Sequence, residues 1–182
     1  MEPTDGGTRP CRIAVVGTAG SGKTTLAADL ARRLGVPHVE LDAIHWGADW
    51  TPAPVPEFRK QAEDALCGDA WTADGNYSVV RDIVWGRADT VVWLDYSLPV
   101  IIGRVVRRTF RRTITREVLW NENRERLADA LASRDSIVLW ALRTYRRRRR
   151  EYPMLFGQPE YAHLNVVHFR TPGDARSWLE SF

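Results

Sequence analysis

Along this chain, short apolar runs alternate with segments whose apolar residues recur every three or four positions. Arg12-Ile-Ala-Val-Val-Gly17 is a β-branched run ending in glycine, the pattern of a strand buried on both faces. From Gly22 to Leu34, the residues Leu26, Leu30 and Leu34 share one helical face, and Gly35 stops the helix. Pro37 to Leu41 reads as a second strand, and the proline-rich stretch Thr51 to Pro56 as a loop. Phe58, Ala62, Ala65 and Leu66 mark an amphipathic helix. Ala70 to Asp74 makes a weak strand and Thr90 to Leu94 a stronger one. Pro99 suits the first position of a helix reaching about Arg112, with Leu98, Ile102, Val105 and Val106 facing inward. Residues 113–123 follow no single pattern. A long helical pattern then runs to about Tyr152, Leu164 to Phe169 forms a last strand, and Gly173 to Leu179 a last helix. Strands alternating with helices predict one α/β domain over residues 1–182 with a parallel sheet, residues 1–11 being a flexible tail.

The composition adds exclusions. A hydrophobic fraction of 44% and a charged fraction of 27% exclude global disorder. No apolar run approaches the ~20 residues of a membrane span, and the polar start lacks a signal-peptide core, so the cytoplasm is the expected location. Cys11 and Cys67 make neither a disulfide framework nor a metal site, and His38, His163 and His168 lack metal-ligand spacing.

Charge sharpens the picture. Only Lys23 and Lys60 are lysines, and every other basic residue is arginine. From Arg104 to Arg150 the chain carries 15 Arg against 5 acids, whereas the remainder is net acidic. One stretch therefore carries the positive field, which suits a polyanionic partner: nucleotide phosphates or nucleic acid. Arg146 to Arg150 is an unbroken run whose members point in all directions on a helix, and interleaved aromatics for base stacking are lacking.

One motif is specific. Gly17-Thr18-Ala19-Gly20-Ser21-Gly22-Lys23-Thr24 matches the P-loop pattern in full, with a predicted strand before it and a helix after it. Small residues let backbone N–H groups curl around phosphate oxygens, and the helix N-terminus adds its dipole. The expected roles are Lys23 on the β- and γ-phosphates, the Thr24 hydroxyl on Mg²⁺ and Thr25 near the α-phosphate of ATP. No Asn-Lys-x-Asp guanine motif is present, which disfavours a GTPase. Asp42 and Asp74 end the second and third strands, so both carboxylates reach the sheet edge that carries the phosphate loop. There an acid holds Mg²⁺ through water or accepts the proton of a hydroxyl acceptor. Asp95, after the fourth strand, is a third candidate or the cap region of the next helix.

The phosphate loop, Leu41-Asp42-Ala43-Ile44-His45-Trp46, Asp74-Gly75-Asn76-Tyr77 and Trp120-Asn121-Glu122-Asn123-Arg124-Glu125 together resemble the adenylate-kinase-like P-loop kinases, including the bacterial branch known as topology modulation proteins. The resemblance covers about residues 12–181. It implies a three-layer P-loop fold with a five-stranded parallel sheet in order 2-3-1-4-5, an acceptor-binding subdomain over 43–68 and an Arg-rich lid over 112–126. It also implies Mg²⁺ positioned by Asp74, and Arg104 and Arg108 on the bound phosphates. The lid arginines would be drawn from Arg116, Arg124, Arg143 and Arg146, with Pro172 in a loop against adenine. The family's acceptor-gripping Arg, four residues after the Asp, is replaced by Ser78, and Arg81 is the nearest substitute.

The remaining acceptor candidates are Asp42, His45, Trp46, Asn76, Tyr77, Arg81, Arg143 and Arg146, with Lys23, Asp42, Asp74, Arg104 and Arg108 as the catalytic set. Trp46, Trp50 and Tyr77 either stack on a flat acceptor or pack a small subdomain. Trp71, Trp93 and Trp140 read as core. The sequence thus predicts a monomeric kinase using ATP and Mg²⁺ on a small acceptor, either a nucleotide or another hydroxylated metabolite, with a nucleotide-dependent regulator or DNA-associated ATPase as the alternative.

Overall fold

The computed structural model describes residues 11–115 and 137–182. Five strands form one parallel sheet: β1 (Arg12–Gly17), β2 (His38–Glu40), β3 (Trp71–Asp74), β4 (Thr90–Leu94) and β5 (Asn165–Phe169). Their order is β2-β3-β1-β4-β5, as expected for a P-loop kinase fold. Alternate residues of each strand point to opposite faces, and both faces are covered. Ala14, Val16, Val91 and Trp93 join a core with Phe58, Trp71, Trp85 and Tyr152. Ile13, Val15, Val92 and Leu94 join the opposite core with Leu26, Leu30, Ile101 and Val105. This two-sided burial explains why β1 and β4, at the centre of the sheet, read as apolar runs.

The helices are α1 (Lys23–Leu34), α2 (Leu41–His45), α3 (Val55–Ala65), α4 (Arg81–Arg87), α5 (Leu98–Thr115), α6 (Ile137–Phe156) and α7 (Pro172–Glu180). Several expectations need correction. Pro37 and Leu41 fall outside β2, because Leu41 already opens α2. The proline-rich loop ends early: α3 starts at Val55 and places Pro56 in its first turn, where a missing N–H costs nothing. Phe58, Ala62 and Leu66 are buried, whereas Ala65 is exposed. On α5 the buried stripe is Ile101 and Val105, while Val106 is 41% exposed, so the inner face is turned by one residue. Helix α4 was not foreseen; its Ile83, Val84 and Trp85 are consecutive and all buried, so no amphipathic period shows. Trp71 and Trp93 are core residues as expected. Arg116, Arg124, the Trp120–Glu125 segment and most of the expected lid lie outside the described residues, as does the side chain of Trp140.

Candidate phosphate and acceptor site

The loop between β1 and α1 lies at the C-terminal edge of the sheet, and Gly22 caps α1 in a left-handed conformation. Gly20 has φ +82°, and a Cβ there would sit 3.0 Å from the Ile101 carbonyl oxygen. Only glycine lets the loop lie this close to α5. That approach brings Arg104 in: its Nη1 donates to the Ser21 carbonyl at 2.8 Å, and its guanidinium lies 5.2 Å from the Tyr96 ring. Thr25 is exposed at the mouth of the loop, and Pro172 opens α7 with Thr171 as its cap.

Lys23 and Thr24 open α1. Burial pushes the Lys23 ammonium down to about 8; the Arg148 guanidinium acts in the same direction, while Asp74 and Asp42 oppose it and Arg108 adds to the lowering. The Thr24 hydroxyl donates to Asp74 Oδ2 at 2.6 Å. The other carboxylate oxygen, Asp74 Oδ1, is 2.8 Å from His38 Nε2. A hydroxyl and a buried carboxylate side by side form a hard-oxygen donor set that fits Mg²⁺. Sequence reasoning missed His38, because its partnership depends on β2 lying beside β3 in parallel register.

Asp42 sits in the first turn of α2, beside Tyr77 after β3. The Tyr77 hydroxyl donates to Asp42 Oδ1 at 2.5 Å. Burial, followed by the Asp42 charge, raises the Tyr77 phenol well above its ordinary value, so it stays a donor. His45 packs against Trp46, Phe58 and Tyr77 with ring centroids 4.4–4.8 Å apart. Burial lowers its pKa despite Asp42, favouring the neutral ring. Trp46 meets Trp50 edge-on at 5.9 Å, and an isolated bridge from Trp46 to Pro52 closes the small loop they share. The aromatic residues therefore pack this subdomain, and Tyr77 also lines a recess beside it.

Other expected residues divide. Arg81 lies over the Trp85 ring at 5.2 Å and lines a shallow recess with Val16, Asn76, Tyr77 and Tyr152. Asn76 bonds the backbone of Gly17 on both sides. Arg143 and Arg146 are exposed on α6. The arginine of that helix that reaches the phosphate loop is Arg148, 5% exposed, with Nη1 3.3 Å from the Gly17 carbonyl. Arg149 pairs with Asp95 at 2.6 Å, and His168 Nε2 is 3.2 Å from the same carboxylate. Asp95 is thus engaged by Arg149 and His168 at the β4–β5 side of the edge, whereas Asp74 is the carboxylate that meets Thr24. The Arg146–Arg150 run is divided between the buried guanidinium of Arg148, two ion-paired ones, Arg147 with Glu151 and Arg149 with Asp95, and the exposed Arg146 and Arg150, rather than forming one basic surface.

A family model described as an AAA domain matches residues 13–180. No curated protein matches the sequence significantly. Among solved structures, the fold is similar to a shikimate kinase from Bacteroides thetaiotaomicron, with 16% identity, a TM-score of 0.56, and coverage of 94% of this chain and 96% of that one. It is also similar to a shikimate kinase from Acinetobacter baumannii in complex with shikimate, with 20% identity, a TM-score of 0.54, and coverage of 95% and 90%. A gluconokinase from Sinorhizobium meliloti matches with 18% identity, a TM-score of 0.52, and coverage of 94% and 93%. At such identities the likeness speaks to the fold.

Proposed function

Because this chain belongs to the AAA domain family, whose model spans nearly all of it, we propose that it is an ATP-dependent phosphotransferase acting on a hydroxyl group of a small acceptor. The observation that carries this reading is the pair of separately held carboxylates at one sheet edge. Asp74 is tied to Thr24 of the phosphate loop, and Asp42 is tied to Tyr77 on the acceptor side. An ATPase needs the first of these; a kinase needs both. The folds of shikimate kinases and of a gluconokinase support the same reading.

In this account the loop backbone and Lys23 hold the β- and γ-phosphates of ATP. Thr24 and Asp74 would hold Mg²⁺, which supplies charge neutralisation between the phosphates when bound. Asp42 orients the acceptor hydroxyl and takes its proton as the acceptor oxygen bonds the γ-phosphorus and the bond from that phosphorus to the β,γ-bridging oxygen breaks, releasing ADP. Arg104, Arg108 and Arg148 counter the charge on the transferring group, and a closed site keeps water from it. His45, Trp46, Tyr77 and Arg81 bound the acceptor. The adenylate-kinase-like resemblance would extend to a nucleotide acceptor, but Ser78 stands where that family grips the acceptor phosphate, so we favour a hydroxylated metabolite. We place the protein in the cytoplasm, where ATP is at hand; among the described residues no helix is long and apolar enough to cross a membrane.

The test separates binding from chemistry. With a panel of hydroxy acids and polyols that includes shikimate and gluconate, Asp42→Asn should lower kcat about 100-fold or more. The same variant should bind MgADP as tightly as the unaltered protein. Retained turnover in Asp42→Asn would remove Asp42 from the mechanism.

A further inference from the structure

Gly17 closes β1 and opens the phosphate loop. The β1–β3 register pairs Val15 with Asp74, so two residues further on Gly17 stands opposite Asn76. By then β3 has ended, and the Asn76 carboxamide does what a neighbouring strand would do. The Gly17 N–H donates to Asn76 Oδ1 at 3.1 Å, and Asn76 Nδ2 donates to the Gly17 carbonyl at 2.7 Å. Helix α6 grips the same residues. The Tyr152 hydroxyl donates to Asn76 Oδ1 at 2.9 Å, and Arg148 Nη1 donates to the Gly17 carbonyl at 3.3 Å. Arg148 and Tyr152 are four residues apart, so they share one helix face, and both are buried. On the other side, Gly17 has φ +152°, and a Cβ there would lie 2.6 Å from the Leu94 carbonyl oxygen. The first residue of the loop is therefore confined from β4, from Asn76 and from α6.

We propose that Asn76 and Tyr152 are positioning residues for the nucleotide: together they set the backbone of Gly17 from α6, so nucleotide affinity depends on how that helix is seated. The chemistry requires a carboxamide. It needs one donor and one acceptor at the same position, which aspartate lacks. It also requires the tyrosine hydroxyl. With Tyr152 and Gly17 both donating to Oδ1, a flipped amide would face two donors with its own NH₂. Because α6 also carries Arg148 to the loop, this latch joins the arrival of a phosphate-facing arginine to the shape of the phosphate loop. By linkage, nucleotide binding should in turn hold α6 in place. Asn76, expected from the sequence to touch the acceptor, acts instead on the ATP side.

The inference rests on reading the loop as the nucleotide site, and calorimetry with MgADP keeps the two questions apart. Tyr152→Phe keeps the ring packed 5.7 Å from Trp85 and 5.6 Å from Trp93, so the fold should survive, and its thermal melt checks this. Loss of that hydroxyl should weaken MgADP binding about 5- to 20-fold, and Asn76→Ala should weaken it further. KM for ATP should rise with it, while KM for the acceptor stays within about twofold. Unchanged MgADP affinity in both variants would overturn the proposal, as would a rise confined to the acceptor KM, which would return Asn76 to the acceptor side. An unaltered protein that fails to bind MgADP would overturn the nucleotide reading beneath it.

Discussion

Lys23 is one of only two lysines in a chain otherwise supplied with arginine. A compact ammonium on a flexible stem suits a loop of backbone donors, whereas forked guanidinium groups suit moving phosphate oxygens from outside. Its depressed pKa, about 8, gives a testable pH dependence. Bound phosphates favour the charged ammonium and so raise this pKa. Below pH 8 the free protein already carries the proton, and MgADP affinity should be flat. Above pH 8 binding must take up a proton, and affinity should fall by roughly tenfold per pH unit until the bound-state value is reached. Calorimetry in buffers of different ionisation enthalpy should register that proton uptake, and Lys23→Met should abolish both the uptake and turnover while keeping the melt. A flat profile to pH 9.5 would mean that burial does not depress the free ammonium, and MgADP affinity unchanged in Lys23→Met would remove Lys23 from phosphate contact.

Each element at the site does a separate job. Helix α1 presents Lys23 and Thr24, β3 delivers Asp74, α2 delivers Asp42, and α5 carries Arg104 against the loop at Gly20. Helix α3 touches no proposed reactant, yet its Phe58 is fully buried against His45 and Tyr77 and so holds the acceptor side to the sheet. Phe58→Ala should cost about 3–5 kcal/mol in chemical denaturation. A loss below 1 kcal/mol would mean that this core tolerates the cavity. At this scale the sequence was most legible where local pattern and position coincide. The β1–loop–α1 unit could be read because strand, glycines, Lys23 and Thr24 lie within thirteen residues. Helix α4 could not, since burial of three consecutive residues hides helical periodicity. Nor could the His38–Asp74 or Asn76–Gly17 pairs, which are 36 and 59 residues apart and exist only once the strand register is set. The arginines of α6 illustrate the same limit. Composition identified a basic run, but only the helix phase shows that Arg148 turns inward while Arg149 pairs with Asp95.

At the scale of the whole molecule, parallel strands bring every loop that follows a strand to one edge, and charge is sorted across that edge. The two site carboxylates, Asp42 and Asp74, come from the β2 and β3 side, with Arg81 the one guanidinium described among them, while Asp95 after β4 is held by Arg149. Guanidinium groups come from α5 and α6, on the segment that carries the excess of arginine. Negative charge beside an acceptor hydroxyl and positive charge around a phosphoryl group is the polarity a phosphotransferase needs. A continuous basic surface would serve a nucleic acid instead, and the division of the Arg146–Arg150 run argues against one. The fate of the γ-phosphorus tests this most directly. ATP labelled in its γ-phosphoryl group should be incubated with the protein, Mg²⁺ and an extract of small metabolites, with and without duplex DNA. The label should appear in an acid-stable phosphoester of one small molecule, in step with ADP and independent of DNA. Label released only as inorganic phosphate, or release that depends on DNA, would contradict the account.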